Sequence, residues 1–179
     1  MHPIVLNASK FVHLAIAATA IVGGVVSKNS AEQMGQPNHP VMEPLGWILF
    51  FGGWIYLAFI SGQHTSKFPL YWFASAGVMA SVYFMKRAME QYQTPNMVFP
   101  AMFVLSWLGL GWLAGMRHSG MLKYAGLISA ALVIMSMMWA LPEQRGRCIV
   151  DGPGMPMFVI AWVIYIMLSS MSTRAMHHA

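Results

Sequence analysis

The feature that most constrains this chain is the recurrence of long apolar stretches with no Asp, Glu, Lys or Arg in their centres. A hydrocarbon core of roughly 30 Å takes about 17 to 25 helical residues to cross. Six stretches meet that length, at 11–27, 45–62, 68–85, 97–116, 121–141 and 154–172. Their near-continuous apolarity argues for helices, because barrel strands are about ten residues long with every second side chain polar. The fold class that follows is all-α: a polytopic integral membrane helix bundle of about six transmembrane helices with short loops, forming a single transmembrane domain over 1–179. The first and third stretches are the short ones by this reading, which predicts little tilt or a locally thin membrane.

Composition supports the same class by exclusion. The chain is 58% apolar and 8% charged, where soluble domains carry about a quarter charged residues. Ten basic side chains spread through the sequence form no run of the kind that binds nucleic acid. Cys148 is the single cysteine, so no intrachain disulfide contributes.

Alternation of the helices puts both termini on one side of the membrane. That end carries Lys10, Lys67, Arg117, Lys123 and Arg174, and the opposite end carries Lys28, Lys86, Arg87, Arg145 and Arg147. All five acids, Glu32, Glu43, Glu90, Glu143 and Asp151, fall opposite, so the terminal end is basic without compensation. Lys and Arg alone set orientation and here they tie; the unbalanced basic end is read as cytoplasmic. Loops of about five residues at this end fold spans two and three, and four and five, into antiparallel hairpins.

Pro44, Pro100 and Pro156 recur at an interval of 56 residues, each at the start of an even-numbered span, where a missing amide hydrogen costs nothing. Duplication of a helical hairpin would give this spacing. So would any chain of similar spans joined by short loops. Ala20 and Gly24, Ala58 and Gly62, Ala76 and Ala80, and Gly111 and Gly115 are small residues four apart, a spacing that lets helices approach closely in lipid. Trp47, Tyr71, Trp72, Tyr92, Tyr124 and Trp139 fall near span ends, in the headgroup zone that amphipathic rings prefer. Trp54, Trp107, Trp112 and Trp162 are deeper, where an indole either packs or lines a pocket.

The absence of charge within the spans weighs against ion-coupled transport, which needs such groups at depth. Serines such as Ser75, Ser106, Ser129 and Ser136 leave a neutral path conceivable. No metalloprotease, nucleophile-elbow or nucleotide-loop motif is present, so the sequence leans away from an enzyme.

Histidine is the sharpest positive signal. Six of seven lie at the basic end, and His13, His64 and His118 sit beside spans one, two and four. Imidazoles from separate helices at one depth are what a bundle-held haem or metal requires; solvation among headgroups accounts for the same placement. The run from Lys10 to Leu14, followed by Gly23 and Gly24, resembles the first span of small haem-handling membrane proteins of the copper-resistance D type. That resemblance covers one span of six; it implies haem as a cofactor and defines no family.

Three functional expectations result. The first is a non-catalytic multi-pass protein serving as a structural or accessory subunit of a membrane assembly, with the lipid bilayer and other membrane subunits or further copies of itself as partners. The second is a small transporter or channel for a neutral or hydrophobic solute. The third is a haem- or metal-binding membrane protein using His13, His64 and His118.

Overall fold

A computed structural model describes residues 4–33, 35, 39–91, 96–140 and 154–173. The connection bearing Arg145, Arg147 and Cys148, together with Tyr92, Arg174, His177 and His178, lies outside them. Six helices follow one another as α1 (Ala8–Gln33), α2 (Met42–Gly62), α3 (Phe68–Glu90), α4 (Val98–Gly115), α5 (Leu122–Ala140) and α6 (Gly154–Ser170). Each coincides with one apolar stretch of the sequence. Helices α1 to α4 are long and apolar enough to cross a membrane, and α5 and α6 continue the bundle as shorter apolar helices.

One expectation fails. The first and third spans belong to the two longest helices, of 26 and 23 residues. Both run on past the apolar stretch into polar sequence, Lys28 to Gln33 in α1 and Lys86 to Glu90 in α3. An apolar window measures lipid exposure, whereas a helix continues wherever its backbone ladder can propagate.

Every helix packs against its neighbours in sequence, and α1 returns to α6, so the bundle closes as a ring. A two-stranded antiparallel ribbon seals that junction: β1 (Ile4–Leu6) pairs with β2 (Met171–Thr173), with Val5 opposite Ser172. Asn7 extends the seam by donating its N–H to the Ser170 carbonyl at 2.9 Å. Its side chain accepts the Lys10 N–H at 3.0 Å and so caps α1. The even-numbered helices begin at Met42, Val98 and Gly154, keeping the interval of the three prolines, and each proline is the third residue of its helix.

Lipid tails are as apolar as leucine, so close backbone contact rather than water exclusion holds the helices together. The glycines supply it. A Cβ on Gly24 would lie 2.5 Å from the Gly46 carbonyl of α2, one on Gly111 would collide with the Gly126 carbonyl of α5, and one on Gly115 with the Lys123 carbonyl. The Ala76 and Ala80 pair does not follow suit: Ala76 is exposed, and the neighbouring Gly77 meets Ser106 of α4 instead. A 3.6-residue period turns position 77 inward in place of 76, which spacing alone cannot decide.

Candidate functional site

Two regions of the ring concentrate side chains with chemical potential: the axis and the basic end.

On the axis, α2, α4 and α6 each contribute one indole. Trp54, Trp107 and Trp162 form a triangle with ring centroids 5.5 Å (54 to 107), 5.7 Å (54 to 162) and 5.3 Å (107 to 162) apart. All three are buried, and their Nε1 atoms have no hydrogen-bond partner. The interplanar angles of 78° and 82° at Trp107 set ring edge against ring face, where the negative π cloud tolerates an N–H that lacks an oxygen acceptor. The triangle fills the ring where a permeation path along the axis would run. Trp112, also expected at depth, is 50% exposed on the outer face.

Of the serines considered as a neutral path, Ser129 and Ser136 are hydrogen-bonded to backbone, while the Ser75 hydroxyl is buried without a partner and Ser106 lines a groove between α3 and α4. Ser129 donates to the Ala161 carbonyl of α6 at 2.7 Å and Ser136 to Val133 of its own helix at 2.7 Å. Ser75 is fully buried, and Ser106 abuts Gly77.

At the basic end the turn after α4 carries Arg117 and His118, and these adjacent residues cap two different helices. The last four carbonyls of a helix lack intrahelical partners. Arg117 Nη2 donates to one of them, Ser61 of α2. His118 Nε2 lies 2.8 Å from another, the Leu168 carbonyl of α6; a carbonyl only accepts, so Nε2 carries the proton. The Arg117 guanidinium also lies over the Tyr71 ring, 5.4 Å from its centroid. Within the same cluster the Tyr165 and Ser61 hydroxyls meet at 3.1 Å. Tyr71 is therefore no headgroup anchor, as its place near a span end had implied: it is 1% exposed and points into the ring beneath Arg117.

The three candidate histidines are placed in three different settings. His13 is exposed on α1 and accepts or shares a proton with Tyr56 Oη at 2.6 Å. His64 is exposed in the turn between α2 and α3 with φ of 60°, a left-handed conformation in which His is enriched among non-glycine residues. Gly120, φ 64°, makes the corresponding turn between α4 and α5. His118 alone is buried, with its Nδ1 unpartnered. No group of three or more His, Cys, Asp or Glu able to hold a metal occurs among the described residues. His39, at the other end, accepts the Val41 and Met42 N–H groups at 3.2 and 3.1 Å and so supports the start of α2.

The residue that sequence reasoning passed over is Arg117. Its signal was present, as a cation directly after an apolar span at the end that holds no acid, but its partners on α2 and α3 are far away along the chain.

Fold and site together define an integral membrane protein built as a closed all-α bundle. No family model, curated protein or solved structure matches the chain.

Proposed function

We propose that this protein is a non-catalytic, multi-pass structural or accessory subunit of a membrane assembly, with both termini and the basic end in the cytoplasm. The observation that carries this reading is the filled axis: Trp54, Trp107 and Trp162 occupy the ring centre. A bundle so filled acts through its outer surface. That surface includes an open apolar groove of about 690 Å³ between α3 and α4, with Ala74, Ala101 and Gly109 among its lining and Phe73, Leu105 and Trp112 along its sides. Small residues flanked by large ones suit close approach of another membrane helix.

Gentle solubilisation from the native membrane followed by crosslinking and mass analysis tests the role. Recovery in a stoichiometric complex, lost when Gly109→Phe fills the groove, is the expected result. Recovery only as a solitary bundle that passes a neutral solute in reconstituted vesicles would overturn it.

A further inference from the structure

The apolar groove between α3 and α4 has a cation at its mouth. It follows α4 from Val98 to Leu113, about 22 Å at the α-helical rise, which is most of the roughly 30 Å of a hydrocarbon core. A Cβ on Gly109 would meet only Ala74, at 3.9 Å. The missing side chain of Gly109 therefore serves no close contact within the fold, unlike those of Gly24, Gly111 and Gly115. Toward the basic end the groove is lined by Leu70 and Trp112. One helical turn beyond these two stand Lys67 and Met116, whose ammonium and thioether meet at 3.3 Å across the gap between the helices.

A thioether is a weak, uncharged acceptor, and the ion pair found among the described residues, Lys28 with Glu43, lies at the opposite end. An occupant that answers the whole groove must therefore bring an apolar body and an anion at the level of Lys67. A second copy inserted in the same direction brings no Asp or Glu to that level, because every acid of this sequence falls at the other end. An acyl chain fills apolar space, but it leaves the Ser106 hydroxyl, in the groove wall at mid-span, facing hydrocarbon. A helix answers that hydroxyl with a polar side chain of its own and packs closely on Gly109.

We propose that the groove between α3 and α4 receives a transmembrane helix of a different protein, one bearing an Asp or Glu at the basic end, whose carboxylate pairs with Lys67. This rests on the accessory role proposed above and specifies the chemistry of the partner. Apolar contact along the groove supplies the area, and the charge pair at its mouth fixes which partner and which direction are accepted.

The test places photoreactive benzoylphenylalanine in the position of Phe73, a ring 81% exposed beside the groove, in the full chain in its native membrane, and sequences the crosslinked peptides. The expected peptide comes from another protein and is an apolar span with an Asp or Glu at the end facing Lys67. Lys67→Glu is expected to lower the crosslink yield about tenfold, since like charges across an interface are costly, while Lys67→Arg keeps it. Lys in place of the partner's acid should restore the yield with Lys67→Glu. An unchanged melting temperature of Lys67→Glu shows that the variant is folded. A protein crosslink that Gly109→Phe abolishes and Lys67→Glu leaves intact would overturn this inference and leave the accessory role standing; a solitary bundle with no protein crosslink would overturn both. Crosslinks to phospholipid alone, or to another copy of this chain, would overturn the docking of a different protein.

Discussion

The two ends of the bundle hold their cations in opposite ways. At the end remote from the ribbon, Lys28 is almost wholly buried, yet its ammonium lies 3.1 Å from Glu43 and 4.7 Å from the centre of the Trp47 ring. The contact of Gly24 with Gly46 brings α1 and α2 close enough for that pair to form. At the basic end the Gly115 contact with α5 is just as close, but no carboxylate follows. Arg117 is balanced instead by the carbonyl end of α2 and by a tyrosine face. One end is neutralised from within the chain. The other is held by a helix carbonyl and a ring face, with no ion pair among the described residues there.

The largest effects should come from the backbone contacts the ends share. Gly24→Val and Gly115→Val each force a side chain into a neighbouring backbone and should lower unfolding free energy by about 3 kcal/mol or more, measured by denaturant titration in micelles. A marked inequality between them would break the parallel between the two ends.

Next comes Glu43→Gln, expected to cost about 3 kcal/mol because it leaves a buried ammonium without its carboxylate. Lys28→Met combined with Glu43→Met should recover most of that loss, since an apolar pair needs no desolvation. If the double variant is no better than the single, the pair is not the closure of that end.

Arg117→Gln should cost about 2 kcal/mol, the worth of a charged hydrogen bond to a helix carbonyl. Lys10→Gln should leave stability unchanged or raise it, because partial burial and the like charge of Arg117 both disfavour the ammonium. A loss as large as that of Glu43→Gln would show that Lys10 has an internal partner, and the contrast between the ends would collapse.

An effect smaller than that of Arg117→Gln sharpens the picture of the cluster beneath Arg117. Ser61→Ala should cost about 1 kcal/mol by removing the closer of the two hydroxyls, Ser61 and Ser169, that the buried Tyr165 hydroxyl meets. With Tyr165→Phe already present, the same change should be close to neutral in a double-mutant cycle.

Helix number and placement were legible because they rest on local quantities. Each apolar stretch had to become a helix, since backbone groups in lipid must be satisfied within the segment, and all six did so near their expected positions. Close contact at Gly24, Gly111 and Gly115 was likewise readable from small-residue spacing. Legibility stopped at direction. Trp107 and Trp112 are five residues apart in one apolar helix, yet the first is buried on the axis and the second faces lipid. Both faces of a membrane helix are apolar, so no polarity contrast marks the inward one. His13, His64 and His118 share an end of the sequence-derived bundle, and among the described residues no group of three or more His, Cys, Asp or Glu able to hold a metal forms there.

The sequence by itself determined the class of protein, six apolar helices, and the confinement of every acid to one end, because these follow from residue type and order along the chain. Only the tertiary structure decided which three indoles meet on the axis and that Arg117 reaches across to Ser61 and Tyr71. Those arrangements depend on the rotation of each helix about its own axis and on which helices become neighbours, and both are set by packing between segments far apart in the chain.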